Sequence, residues 1–187
     1  MAKAKTKPKA KSNASGRMIV CRIERCLGCR SCELACALEH SASKELLGAL
    51  GEETPPQRRV TVEVAGGRAC AIQCQHCEDA PCIAVCPSGA INRRDEGGPV
   101  LIDAERCIGC KFCVVACPFG AIEMSRDGRA VVKCDQCIER TAAGEDPACV
   151  SACPTKALLF ITVEEYNKRK RQAAVKQLQA AQEAGER

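Results

Sequence analysis

The sequence predicts an α+β fold: two interleaved, cysteine-built modules followed by a separate C-terminal helix. Three observations carry that reading. Sixteen of the 18 cysteines fall into four compact groups within 187 residues. The residues flanking those groups repeat. Aromatic residues make up only 2% of the chain, namely Phe112, Phe119, Phe160 and Tyr166, so large side chains do not supply an ordinary core. Something bound to the cysteines has to fill the interior, and folding is expected to depend on it.

Group one, Cys26, Cys29, Cys32 and Cys36 in CLGCRSCELAC, has the C-x2-C-x2-C-x3-C spacing of bacterial ferredoxins. The second group is looser, with Cys74, Cys77, Cys82 and Cys86 in CQHCEDAPCIAVCP. Group three, Cys107, Cys110, Cys113 and Cys117 in CIGCKFCVVACP, restores the strict spacing and ends in Cys-Pro. In group four, Cys134 and Cys137 in CDQC are separated by eleven residues from Cys149 and Cys153 in CVSACP. Thiolates two residues apart wrap three corners of an iron-sulfur cube, and a fourth has to come from elsewhere in the chain. The expected fold class is therefore two interleaved bacterial-type ferredoxin modules holding four 4Fe-4S clusters, plus the helix.

Around the groups, Arg25-Cys26-Leu27-Gly28-Cys29 matches Arg106-Cys107-Ile108-Gly109-Cys110. Downstream, Cys86-Pro87, Cys117-Pro118 and Cys153-Pro154 each lead into a shared x-x-Ala-aliphatic ending. The glycines let the backbone approach a cluster, and the prolines fix φ after each cysteine. Short apolar runs at Met18–Ile23, Val100–Ile102 and Ala130–Val132 read as strands feeding the cluster loops. Asp127-Gly128 reads as a hairpin turn, and Gly66-Gly67 closes the alternating run 59–64 against 69–72. Helix is expected over Glu33–His40, and residues 41–58 read as a surface loop. From Thr162 a capping box opens a helix that stops near Gly185, on a thin apolar stripe of Ala174, Val175, Leu178 and Ala181.

The expected boundaries are a basic flexible arm at 1–17, an outer module at 18–72 and 126–162 with groups one and four, an inner module at 73–125 with groups two and three, and a helix at 163–187 for docking or self-association. Charge is unevenly spread along this plan. Residues 1–17 carry +6 and residues 164–187 carry +2, which leaves −3 for the body out of a total of +5. Basic tails on an acidic body suggest docking to a partner. Without interleaved aromatics or a basic face, no nucleic acid is expected.

A disulfide scaffold is disfavoured because no secretory signal precedes the cysteines, and no run of about 18 apolar residues would span a membrane. The consistent setting is cytoplasmic. Zinc also accepts four cysteines, but its sites use two separated CxxC pairs rather than three consecutive x2 spacings. Cys21 and Cys70 are left over and read as small buried side chains, with no neighbouring free thiol to pair with. His76, inside group two, is a candidate hydrogen-bond donor to a cluster sulfur, and His40 is the other histidine. No catalytic residues are evident, so an enzyme acting alone is not expected.

In group order and spacing, residues 18–162 resemble the four-cluster ferredoxin-like electron-transfer subunits of complex iron-sulfur oxidoreductases. CELACALEHSASKELLGAL after group one resembles the small members, which serve carbon monoxide dehydrogenase, tungsten aldehyde oxidoreductase, hydrogenase and formate dehydrogenase systems. The longer subunits of dimethyl sulfoxide and nitrate reductases are resembled less. The resemblance implies crossed ligand sets: Cys26, Cys29, Cys32 with Cys153; Cys134, Cys137, Cys149 with Cys36; Cys74, Cys77, Cys82 with Cys117; and Cys107, Cys110, Cys113 with Cys86. Cys36, followed by Ala37 rather than proline, departs from the repeat. The function implied is a relay of single electrons through four 4Fe-4S clusters. Its partners would be a catalytic redox subunit, either a tungsten or molybdenum pterin enzyme or a nickel-iron enzyme, and a second carrier or subunit. Tungsten-dependent aldehyde oxidoreductase is the first expectation and carbon monoxide dehydrogenase the next. A metal-stabilised scaffold or redox-responsive regulator is the reading of another class.

Overall fold

The computed structural model describes residues 16–93 and 95–185. Most of the expected basic arm lies outside them, as do residues 186 and 187. Helices and short strands alternate along the chain, and every sheet has two strands.

The N-terminal strand β1 (Arg17–Cys21) pairs antiparallel with β8 (Leu158–Thr162), so the two ends of the body close on each other. Arg17 fastens the pair: its guanidinium donates to the Phe160 carbonyl at 2.7 Å and lies 4.3 Å from the centre of the Phe160 ring. A 3-10 turn (Ile23–Arg25) leads to α1 (Ser31–Glu39), and a short helix α2 (Leu46–Leu50) lies inside the segment expected to be loop. Next come β2 (Val60–Ala65) and β3 (Arg68–Gln73), the alternating hairpin expected from sequence, turning at Gly66 and Gly67 with φ of 57° and 74°.

Further along, α3 (Pro81–Ala84) precedes a hairpin of β4 (Ile91–Arg93) with β5 (Val100–Ile102), and β4 had no counterpart in the sequence reading. After α4 (Phe112–Ala116), β6 (Ile122–Met124) and β7 (Val131–Lys133) form the hairpin expected at Asp127-Gly128. Two small helices, α5 (Ile138–Ala142) and α6 (Ala148–Ser151), bracket the long gap in group four. The last element, α7 (Val163–Gly185), starts at the expected capping box: the Glu165 amide donates to Thr162 Oγ1 at 3.1 Å, and the Thr162 amide donates to Glu165 Oε2 at 3.3 Å. Val175 and Leu178 on its stripe are exposed.

Burial gathers in two cores, and sulfur is part of both. The first holds Ile19, Val60, Val62, Leu158 and Phe160 together with Cys32, Cys36, Cys134 and Cys149. The second holds Ile91, Val100, Ile122 and Val131 with Cys82 and Cys113. The polypeptide passes from one core to the other within three residues, since Val131 of β7 belongs to the second and Cys134 to the first. No helix among the described residues is long and apolar enough to cross a membrane.

Candidate iron-sulfur sites

Each cysteine loop curls because successive residues adopt left-handed backbone. Gly28 and Arg30 have φ of 68° and 61°, and their repeat partners Gly109 and Lys111 have 65° and 66°. Such turns aim backbone N–H groups inward and make a nest for anionic sulfur. The glycines are required by this backbone and by neighbouring segments: a Cβ would come within 3.2 Å of Ala69 Cβ at Gly28, and within 3.3 Å of the Arg129 carbonyl oxygen at Gly109.

The loops bring distant cysteines together. Cys26, Cys29 and Cys32 line one cavity with Cys153, from the far end of the body. A second cavity is lined by Cys74, Cys77 and Cys82 with Cys117. Near group four, burial first and then the sulfurs of Cys134, Cys36, Cys137 and Cys32 push the Cys149 thiol well above its ordinary value. At group three, burial raises the Cys113 thiol, and the neighbouring sulfurs of Cys110, Cys107 and Cys86 add to it. In the first two places three cysteines of one group line a cavity with one of another, and Cys149 and Cys113 likewise lie near sulfurs of a second group.

The groups also form a series. Cys149 feels Cys32 on one side, and Cys134 feels Cys74 on the other. Cys82 in turn feels Cys113. Groups one and four share the first core, against which Cys74 of group two packs, and groups two and three share the second, so neighbours run one with four, four with two and two with three. Of the 18 thiols, Cys29 and Cys110 alone are exposed, and they belong to the first and last groups of that order.

Hydrogen bonds to sulfur are numerous. The Arg59 amide donates to Cys36 Sγ at 3.2 Å, the Ala157 amide to Cys153 Sγ at 3.2 Å, and the His76 and Gln136 amides to Cys74 and Cys134 at 3.4 Å. Ala157, the alanine of the Cys-Pro-x-x-Ala ending, is 1% exposed, and its counterpart Ala90 is fully buried. The motif thus keeps a small residue where the backbone folds back over the cysteine. Hydroxyls two residues after a cysteine add to the amides: Ser31 lies beside Cys29 at 3.5 Å and Ser88 beside Cys86 at 3.7 Å, whereas Thr155, 3.8 Å from Cys153, gives its proton to the Arg25 carbonyl at 2.8 Å. Ser31 is the main reason that the Cys29 thiol falls below its ordinary value. At Cys86 and Cys153 burial pulls upward, but backbone amides, those of Ile91 and Leu158 foremost, and the Ser88 hydroxyl at Cys86 outweigh it. The sequence reading missed these hydroxyls, although their fixed offset from the cysteine was there to be seen.

His40 supports the cysteine that lacks a proline. Its Nδ1 faces the Cys36 carbonyl at 2.7 Å and lies 3.7 Å from Cys36 Sγ, while Nε2 faces Asp135 Oδ1 at 3.2 Å. Both ring nitrogens meet acceptors, so both carry protons. Burial works against that charge, but the Asp135 and Cys36 hydrogen bonds outweigh it and raise the His40 pKa to about 10. Asp135 also takes the Arg59 guanidinium at 2.6 Å and the Cys137 amide at 2.9 Å. Nothing in the sequence reading gave Asp135 or Arg59 a role.

His76 is different. Its Nδ1 accepts the Val100 amide at 3.0 Å, which puts the ring proton on Nε2, and that nitrogen is buried without a partner. Burial first, then Lys133, lowers its pKa to about 3. His76 lines the Cys74 cavity. The expected role as a donor to cluster sulfur therefore has an orphaned N–H to support it.

The two leftover thiols are neighbours, against expectation. Cys21 lies beside Cys70, and burial followed by that neighbour raises the Cys21 pKa to about 12.

Cysteine-lined cavities, left-handed loops that turn amides toward sulfur and a buried donor with no protein acceptor among the described residues all suit 4Fe-4S clusters. Comparison with known proteins agrees. Residues 68–163 match the model of a 4Fe-4S dicluster domain, and residues 23–38 match that of a 4Fe-4S binding domain. An iron-sulfur protein of Rhodospirillum rubrum is 39% identical over 86% of this sequence and 90% of its own. The electron transport protein HydN of Escherichia coli K12 is 38% identical, covering 78% of this sequence and 87% of its own. The thiosulfate reductase electron transfer subunit PhsB of Salmonella typhi is 38% identical, covering 76% and 73%. The protein holds 4Fe-4S clusters and is a member of the 4Fe-4S dicluster ferredoxin family, that of the electron-transfer iron-sulfur subunits of oxidoreductase complexes.

Proposed function

We propose that the protein is a non-catalytic relay that holds four 4Fe-4S clusters in a row and passes single electrons between a catalytic redox subunit and a second carrier. The observation that carries this reading is the series of four cysteine sets whose exposed thiols, Cys29 and Cys110, lie in the first and last sets. When bound, the clusters supply one-electron redox chemistry over a wide range of potential. The protein's own residues do the rest. Cys26, Cys29, Cys32 and Cys153 would hold the first cluster, and Cys134, Cys137, Cys149 and Cys36 its neighbour. Cys74, Cys77, Cys82 and Cys117 would hold the third, and Cys107, Cys110, Cys113 and Cys86 the last.

In this reading, residues 18–72 and 126–162 are the outer ferredoxin module and residues 73–125 the inner one, interleaved through the crossing cysteines. Burial of Cys134, Cys137 and Cys149 keeps water from the middle of the series. Amides and hydroxyls on sulfur stabilise the thiolates that iron requires. The catalytic partner is a separate redox subunit of an oxidoreductase. The relatives' names lend no support to a tungsten aldehyde oxidoreductase, and metal analysis of the largest companion copurified from the native host would identify the class. The exposed helix α7 would dock or self-associate.

Stopped-flow mixing of anaerobic protein with a reductant, and then with an electron acceptor, tests the relay. Bleaching and full recovery of the iron-sulfur absorbance, amounting to about four electrons per protein at one per cluster, is the expected result. Cycling of one cluster with the others inert would point to a scaffold or regulator instead.

A further inference from the structure

Lys133 is a buried cation without an anion. It ends β7 at the joint between the two cores and is 4% exposed. Its Nζ donates to the Val100 carbonyl and, at 3.1 Å, to the Cys134 carbonyl. Among the described residues no carboxylate forms an ion pair with it, and the nearest acid in sequence, Asp135, is taken by Arg59 and His40. An ammonium has three donors, and among the described residues these two carbonyls are the acceptors that meet it. Burying a positive charge in this way is strongly unfavourable unless a negative charge lies close by.

The surroundings show where that negative charge would be. Cys134, whose carbonyl Lys133 holds, belongs to the set with Cys137, Cys149 and Cys36. Val100, held at its carbonyl by Lys133 and at its amide by His76, lines the cavity of Cys74, Cys77, Cys82 and Cys117. The influence of Lys133 reaches that cavity: burial pushes the Cys82 thiol up, and Lys133 is the largest influence pulling it back. Cys134 and Cys74 also feel each other. The lysine therefore stands between the two central sets, each of which becomes anionic once four thiolates hold a cluster.

We propose that Lys133 is the internal counter-charge of the two central cysteine sites, a positioning residue that raises the reduction potentials of both groups they hold. This rests on the four-cluster reading above. Reduction adds an electron, and a fixed positive charge in a water-excluded interior favours the more negative state. Without it, the middle of the series would be an uphill step between two more solvated ends.

The test is an anaerobic redox titration followed by electron paramagnetic resonance on the full-length protein, comparing wild type, Lys133→Gln and Lys133→Arg. The glutamine keeps a donor for the carbonyls and removes the charge, while the arginine keeps the charge. In K133Q the potentials of the two central clusters should fall by at least a tenfold change in electron occupancy, about 59 mV for a one-electron couple. The terminal pair should move less, and K133R should stay near wild type. Unshifted potentials in K133Q, equal shifts in both variants, a shift confined to the terminal clusters, or loss of iron from both variants would each overturn the proposal. Loss of iron from both would mean that the lysine builds the sites rather than tunes them. Wild-type protein with fewer than four clusters would instead sink the reading beneath it.

Discussion

At the ends of the cysteine series, Cys29 is exposed and a serine hydroxyl lowers its pKa, while amides and a hydroxyl lower those of Cys153 and Cys86 against burial. In the middle, Cys134, Cys137 and Cys149 are buried and burial drives their thiols upward, that of Cys137 to about 12. The same repeat produced both environments. Backbone amides reach sulfur in both, and the difference lies in what else offsets the charge of a thiolate: water and hydroxyls at the ends; Lys133 and the doubly protonated His40 in the middle. A buried site cannot draw on solvent, so it has to bring its own cations. In the proposed relay the ends would exchange charge with something outside, and the middle would hold it inside.

The sharpest way to break this contrast is to remove one sulfur from each region. Cys149→Ser should lose one cluster, about 4 of 16 iron atoms, and destabilise the first core severely, because it leaves a buried set of thiols incomplete. Cys29→Ser should be milder, since an exposed serine oxygen or water can take the open position. Iron content and thermal unfolding of the two variants check this, and equal losses would erase the distinction.

A smaller effect is expected from the ionic brace beside Cys36. Asp135, 23% exposed, receives both His40 and Arg59, and Asp135→Asn should cost about 2 kcal/mol, as expected for lost hydrogen bonds to a charged group. The pH dependence has a definite sign. His40 binds its proton more tightly folded than unfolded, so its contribution is complete below about 6.5 and is lost as pH rises through about 10. Denaturant unfolding from pH 7 to 10 should show that decline in wild type and a flatter profile in His40→Gln.

The smallest change should come from Ser31→Ala, which removes the hydroxyl beside Cys29. Iron content and melting temperature should hold, while the potential of the first cluster falls slightly. A shift as large as that of K133Q would show that hydroxyls matter at the ends as much as cations do in the middle.

Much of this was legible in the sequence because cysteine spacing is a local code. The four groups, the β2–β3 and β6–β7 hairpins and the capped α7 were read from neighbouring residues, and the structure places them where expected. Long-range partners left no such mark. The pairing of β1 with β8 joins residues more than a hundred positions apart, and nothing in Arg17–Cys21 announces Leu158–Thr162. Asp135 had no role until Arg59 and His40 arrived from other elements. Lys133 follows the apolar run Ala130–Val132 with nothing to mark it, although the structure buries it. Cys21 and Cys70 seemed unrelated because they sit on separate strands, β1 and β3, that meet only in the fold. Charges buried at a crossing of distant segments are what a single sequence conceals, and here they surround the middle of the series.

The central claim is that sixteen cysteines hold four clusters in a row. Its most direct test is iron and sulfide analysis of anaerobically purified protein, with double integration of its dithionite-reduced electron paramagnetic resonance spectrum. About 16 iron atoms per protein, and a spectrum broadened by coupling between neighbouring clusters and accounting for about four spins, is the outcome the account predicts for four cubes. Colourless protein holding zinc, or about 8 iron atoms with isolated, uncoupled signals, would contradict it.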